Sequence, residues 1–325
     1  MKSRAYIAKA VTLVLTSVFA CGATAAGFPD KPLRMVVPFA PGGPTDIVGR
    51  AIAQRLTETF GQSMVIDNRA GAGGVVGADM VAKAAPDGYT TLLCSTGAMA
   101  INPGLMDKLP YDSVKDFAGI SLVVTIPYLL LVSPSSPVKT IKELIAEAKS
   151  KPGSMNYGSA GTGSTSHLAG ELFKTMAGIE MVHIPYKGSA PASIDLISGR
   201  LQTMFNAVAI AMPFVKGGKM RAIGISTQVR SPLVPDVPTI SESGVPGFEV
   251  LTWHGICAPS KTPKPVLKTL NTAIVQALQH PQTRQHLSSI GADVVGSSQE
   301  EFEKFIKSEL AKWSKIIKTS GATAY

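Results

Sequence analysis

Most of the motifs that announce a chemistry are missing from this sequence. Among 325 residues there are three cysteines, Cys21, Cys94 and Cys257, and no C-x-x-C pair, which excludes the common zinc and dithiol redox motifs. The five histidines are dispersed without H-x-x-x-H or H-E-x-x-H spacing, so a metallohydrolase site is not indicated. There is no G-x-x-x-x-G-K-[ST], and Gly71, Gly73, Gly74 and Gly77 do not fall into G-x-G-x-x-G register; no nucleotide fingerprint is left. Ser159 and Ser164 lie outside any G-x-S-x-G, so the strained hydrolase elbow is missing. Basic residues are scattered, with no helix-turn-helix or zinc-finger pattern, and nucleic acid is not an expected partner. No cofactor or metal is expected.

What is present begins with an address. Lys2, Arg4 and Lys9 form a basic start, residues 11–20 are apolar and uncharged, and Ala23-Thr24-Ala25-Ala26 supplies small residues. That order describes a secretory signal peptide over residues 1–26. The apolar run is too short to span a bilayer, and no second such run follows. Cys21 raises a lipid-anchored alternative, but the bulky Phe19 does not suit a lipid-attachment box, and Cys21 is read as part of the discarded peptide. The formal charge of +9 falls by three when Lys2, Arg4 and Lys9 leave. The positive excess that remains suits an anion-binding protein and equally an ordinary surface. Cys94 and Cys257 could pair in an oxidising compartment; the favoured reading is two buried thiols in apolar strands.

The remaining chain, roughly 300 residues, is long enough for two lobes. Strands are expected at 33–39, 65–68 and 89–95, with helices at 45–60 and 74–85 between them. This βαβαβ opening argues for a parallel, doubly wound sheet. Residues 117–133 are apolar, interrupted by Pro127, and too long for one typical strand; they serve as a crossing into a second lobe. A helix at 140–149 follows, with Thr140 as cap and Glu143 three residues on. The pattern then restarts: strands at 155–158, 181–185, 201–206 and 220–226, helices at 164–176, 191–198 and 209–216. A strand near 248–258 returns the chain, and helices at 265–278 and 299–319 end it. The expected architecture is α/β, two lobes joined by two crossover segments, each lobe a doubly wound, mainly parallel sheet. Residues 27–124 and 250–325 make lobe 1, and 125–249 lobe 2.

Two turns at equivalent places carry the functional signal. Pro38-Phe39-Ala40-Pro41-Gly42-Gly43-Pro44-Thr45-Asp46 joins the first strand to the first helix. Tyr157-Gly158-Ser159-Ala160-Gly161-Thr162-Gly163-Ser164-Thr165-Ser166-His167 does the same in the second lobe. Ligands of open α/β sheets bind beyond the carboxyl ends of the strands. Glycine lets backbone approach a ligand closely, the following helix presents unpaired N–H groups, and hydroxyl side chains add donors. Neither loop contains Arg or Lys, which favours a carboxylate over a multiply charged phosphate. Asp46, near a helix start, reads first as a cap; it could instead orient the loop or hold a ligand ammonium. His167 reads first as packing or capping, with ligand contact second.

Those loops, together with Phe28-Pro29-Asp30-Lys31-Pro32-Leu33-Arg34, Asn68-Arg69-Ala70-Gly71-Ala72-Gly73-Gly74, Pro86-Asp87-Gly88-Tyr89-Thr90, Pro185-Tyr186-Lys187-Gly188, Trp253-His254-Gly255 and Ala258-Pro259, resemble the Bug family. These are periplasmic substrate-binding proteins of tripartite tricarboxylate transporters. The matches run in order through the whole chain after residue 26. The resemblance implies a type II-like periplasmic binding protein that closes on a small carboxylate: a di- or tricarboxylate, an acidic amino acid, an aromatic acid or a nicotinate-like compound. It implies delivery to a membrane permease, or presentation to a receptor kinase; a protein that hinges is expected to be a monomer. Carried over to this sequence, the ligand-binding positions are Phe39, Ala40, Gly42, Gly43, Thr45 and Asp46 in the first loop, and Ser159, Ala160, Thr162, Gly163 and Ser164 in the second. Asn68, Ser95 and Thr96 end strands beside the first loop, and Asn206 ends one in the second lobe. Ala40 stands where the family often has proline. Asn206 stands where many members have aspartate, which weighs against a cationic or amino-acid ligand. The competing readings are an exported serine-type hydrolase using Ser164 with His167, and an interaction protein with a vestigial cleft.

Overall fold

The computed structural model describes residues 27–186 and 188–320; the expected export signal at 1–26 lies outside the described residues. In chain order the elements are β1 (Leu33–Val37), α1 (Pro44–Phe60), β2 (Met64–Asn68), α2 (Val75–Ala82), β3 (Thr90–Ser95), α3 (Asn102–Leu105), β4 (Phe117–Val132), α4 (Ile141–Ser150), β5 (Asn156–Ser159), α5 (Thr165–Ala177), β6 (Val182–Pro185), α6 (Ser189–Ile197), β7 (Thr203–Ala207), α7 (Val208–Lys216), β8 (Arg221–Ile225), β9 (Leu251–Pro259), α8 (Lys264–Gln279), α9 (Pro281–Ser289), β10 (Asp293–Val294) and α10 (Gln299–Ser320). Among the described residues no helix is long and apolar enough to cross a membrane.

The strand order is β2-β1-β3-β9-β4-β7-β5-β6, with β8 and β10 also pairing to β4. Each half holds a parallel triplet, β2-β1-β3 and β7-β5-β6. The antiparallel pairs all involve the two crossing strands, β4 and β9. Two lobes of one design result. Alternation along β1 covers both faces of its sheet: Met35 and Val37 pack with Val48 and Ile52 of α1 and with Leu270 and Ile274 of α8. Val36 joins Leu92, Cys94 and Val81 on the opposite face, as a sheet between two helical layers requires.

The apolar run expected as a crossing forms a single strand of 16 residues. Its first part, through Pro127, pairs with β9; from Tyr128 onward it pairs with β7, and from Leu129 also with β8. Pro127, which has no N–H to give a ladder, sits where one partner set ends and the other begins. Ser226 ties the return crossing to this point. Its N–H donates to Tyr128 O (2.9 Å) and its carbonyl accepts from Val250 N–H (3.1 Å). Its hydroxyl accepts from Tyr128 N–H (2.8 Å) and donates to Val250 O (2.5 Å).

Local signals hold where the chain is self-contained. Thr140 and Glu143 form a reciprocal capping box on α4, with both bonds at 3.2 Å. Gly255 has a tertiary reason: a Cβ there would lie 2.0 Å from the Phe302 ring of α10. Cys94 and Cys257 are free, fully buried and adjacent, with Sγ atoms 2.8 Å apart; burial pushes the Cys257 thiol well above its usual range.

Candidate functional site

The two glycine loops line one cavity of about 890 Å³, within the range typical of small-molecule sites. Phe39, Ala40, Gly42, Gly43 and Thr45 contribute from the first loop, and Ala160, Thr162, Gly163 and Ser164 from the second; Ser95 and Asn206 complete the expected set that reaches the wall. Among the described residues, no Asp, Glu, Lys or Arg lines it, and no group of acidic, histidine or cysteine side chains could hold a metal ion.

Asp46, Asn68, Thr96 and Ser159 stand behind this wall. Their polar atoms bond to other parts of the protein. Asp46 is 3% exposed and does not cap α1, whose N-cap is Gly43. One Asp46 oxygen accepts from Gly42 N–H (2.9 Å) and Arg50 Nε (2.8 Å), the other from Asn68 Nδ2 (2.9 Å). Asn68 Nδ2 also donates to Phe39 O (3.0 Å). The carboxylate therefore orients the loop, the second of the roles its sequence position allowed. Burial raises its pKa, and the bonds from Arg50, Gly42 and Asn68 outweigh burial and hold it below the usual value. Asp46→Ala is expected to lower the unfolding free energy by about 2 kcal/mol, because hydrogen bonds to an ionised group are lost with no replacement; urea denaturation at neutral pH measures it. Thr96 Oγ1 accepts from Trp253 N–H (2.8 Å). Ser159 Oγ bonds His183 Nε2 (2.6 Å) and accepts from Gly161 N–H (3.0 Å).

The second loop is wired similarly. Ala160 N–H donates to Ser166 Oγ (3.0 Å), and Gly163 N–H to His167 Nδ1 (3.2 Å). Gly163 has φ +78°, a conformation that favours glycine. Ser164 is the N-cap of α5: its hydroxyl donates to Gly161 O (2.6 Å) and accepts from His167 N–H (3.2 Å). His167 stacks on His183 with ring centroids 4.0 Å apart, and burial lowers its pKa against the opposing pull of Glu171. Ser164 and His167 thus cap and shape a loop; the His167 ring nitrogen nearest the turn serves Gly163, not the Ser164 hydroxyl. The bonds that set the two turns consume the N–H groups of Gly42, Ala160, Gly161 and Gly163. Of the first-turn N–H groups that helices cannot satisfy internally, those of Thr45 in α1 and Thr165 in α5 belong to residues of the cavity wall.

Several wall residues were not among the expected ligand-binding positions. Gly97, Asn102, Leu105 and Met106 come from a helical stretch after β3 that shows no periodicity. Ala72 and Gly73 belong to the glycine turn after β2, Gly188 precedes α6, and Ser189 and Ala190 open that helix. Tyr128, Thr252 and His254 come from the crossing strands. Burial raises the Tyr128 pKa to about 12, so its hydroxyl is a neutral donor.

Comparison with known proteins agrees with this geometry. The family described as tripartite tricarboxylate transporter family receptor matches residues 48–322. Protein BugT of Bordetella pertussis is 36% identical over 310 residues, covering 95% of each chain. The structure of Rpa4515 of R. palustris with adipate superposes with a TM-score of 0.84 at 38% identity, covering 91% of this chain and 99% of that one. The structure of MatC from Rhodopseudomonas palustris with bound malate gives a TM-score of 0.80 at 35% identity, covering 89% and 100%. Two α/β lobes with facing glycine turns, and a family match over most of the chain, place the protein: it belongs to the tripartite tricarboxylate transporter receptor family, the solute-binding Bug proteins.

Proposed function

We propose that this chain is a periplasmic receptor that captures a small carboxylate between its lobes and hands it to a membrane permease. The observation that carries the reading is a single cavity walled by two glycine turns and two open helix starts, with neutral donors and no fixed charge among the described residues. Residues 27–124 with 250–325 act as one lobe and 125–249 as the other, working as a monomer after removal of residues 1–26. A bound carboxylate bridges donors from both lobes, and the closed population rises by its differential affinity. The carboxylates held by similar proteins, adipate and malate, support the ligand class.

Thermal shift against a carboxylate panel including adipate and malate tests the reading, because a ligand that binds only the folded protein must stabilise it. A panel without any shift sinks it. Gly163→Val is expected to weaken binding by about ten-fold or more, since a side chain at φ +78° strains the turn at a cost of ~1–3 kcal/mol. Calorimetry showing unchanged affinity in this variant would remove the second loop from the site.

A further inference from the structure

The core of the first lobe holds a reactive pair that the cavity does not use. Cys94 on β3 and Cys257 on β9 are both fully buried and neither lines the cavity. Among the described residues no histidine, cysteine or acidic group could hold a metal ion with them. The two strands are antiparallel neighbours, with Leu92 facing Cys257 and Cys94 facing Gly255. The cysteines are therefore diagonal partners on one face of the sheet. The Phe302 ring packs over Gly255 between them and helps to shut the pair off from solvent.

Their Sγ atoms are 2.8 Å apart. Unbonded carbon atoms, which are smaller than sulfur, rest at about 3.5–4.0 Å, and a disulfide bond measures ~2.05 Å. The sulfurs are thus closer than separate thiols settle and within an ångström of bonding. Two inert thiols in apolar strands do not account for that contact. The relatives' compartment, the periplasm, is one in which disulfides form and persist.

We propose that Cys94 and Cys257 are joined by a disulfide in the exported protein, stapling the return crossing β9 to β3. This rests on the export reading above and is independent of the carboxylate reading. The oxidant is a disulfide, of a dithiol oxidase or of glutathione. The thiolate of one cysteine attacks it, forming a mixed disulfide and expelling one thiol; the second cysteine then attacks the mixed disulfide and expels the other. Both cysteines lose their protons, two electrons pass to the oxidant, one S–S bond breaks there and one forms in this chain. Burial holds the Cys257 thiol protonated in the finished fold, so the exchange takes place while β9 is docking, before the pair is covered. The bond closes a separation of 163 residues, between a strand made early and the one that fills its edge.

The full-length chain, recovered from the periplasm of a Gram-negative host and unfolded in urea with N-ethylmaleimide but no reductant, tests this. Intact mass reports whether residues 1–26 have been removed, which bears on the export reading alone. If they remain, the reduced chain is refolded in a mixture of glutathione and glutathione disulfide and labelled in the same way. Cys94 and Cys257 are expected to take no label, and proteolysis without reductant to give their two peptides linked and two hydrogens lighter. Label on both cysteines, or linkage of either to a second chain, would overturn the proposal and leave the receptor reading standing. This measurement needs no variant. In urea denaturation, adding dithiothreitol is expected to lower the parent's midpoint by on the order of 1 M, because so long a closed loop constrains the unfolded chain, and to leave the midpoint of Cys257→Ala where it is. A parent midpoint indifferent to reductant would mean that no staple holds β9.

Discussion

Glu309→Leu is expected to lower the unfolding free energy by about 3 kcal/mol. The carboxylate of Glu309, 6% exposed on α10, accepts on one oxygen from two indoles, Trp253 Nε1 (3.0 Å) and Trp313 Nε1 (2.9 Å). Both indoles are fully buried. Lys312 lies 3.4 Å from the other oxygen. Leucine fills the space and removes the cost of burying a charge, but it strands two N–H donors at about 1–3 kcal/mol each. That penalty exceeds what the lost desolvation returns, because Lys312 and the two donors already offset the buried charge. Glu309→Gln keeps an acceptor for the indoles and is expected to cost less than half as much. Urea denaturation of the two variants beside the parent separates the cases; a leucine variant as stable as the parent would mean that the indoles find other acceptors. Because Trp253 neighbours His254 and pairs with Thr125 across the crossing strands, the loss would be felt at the cavity as well as in the core.

Acid is expected to destabilise the ligand-free protein well before its carboxylates titrate. His183 is held near a pKa of about 3, first by burial and then by His167 and Lys174; its ring is stacked between Tyr157 and His167. Burial holds His254 at about 4. Both lie below the unfolded value near 6.5. Their contribution is complete above pH ~6.5 and is lost as pH falls through the folded values, since the unfolded chain takes up protons that the folded one refuses. Each histidine costs about 1.4 kcal/mol per pH unit in that window, so descending from pH 6.5 to 4.5 is expected to remove on the order of 3–5 kcal/mol. The measurement is the urea midpoint across this range for the parent, His183→Asn and His254→Asn. Each substitution should flatten the dependence, and slopes identical to the parent's would show that neither ring is kept neutral by the fold.

The parts of the molecule that could be read from sequence are those whose cause is local. The loop between β1 and α1 announces itself because proline and glycine punctuate a change from strand to helical periodicity, and the turn before α5 does so with glycine and serine. The capping box of Thr140 and Glu143 lies within four residues. What stayed hidden depends on distant partners. Asp46 has the position of a cap, but its bonds run to Asn68 on another strand and back to Gly42. Gly97, Asn102 and Met106 enter the wall from short helical turns too brief to establish a period. An alternating βαβ pattern argues for neighbouring parallel strands, and nothing local says that β9 will insert antiparallel between β3 and β4. His254 belongs to the quoted Trp253-His254-Gly255 run, but nothing local says that the fold buries its ring in the cavity wall.

The insertion of β9 also bears on time. The first lobe's sheet has β1, β2 and β3 available once residue 95 is made, yet the strand that joins them to β4 is built from residues 251–259. Until nearly four-fifths of the chain has been synthesised, β3 carries an unfilled edge, and the layers supplied by α8 and α10 come later still. Such long-range pairing delays closure of the lobe. A polypeptide that cannot complete its first lobe before most of its length exists stays extended for longer, which is the condition in which a chain can be threaded across a membrane.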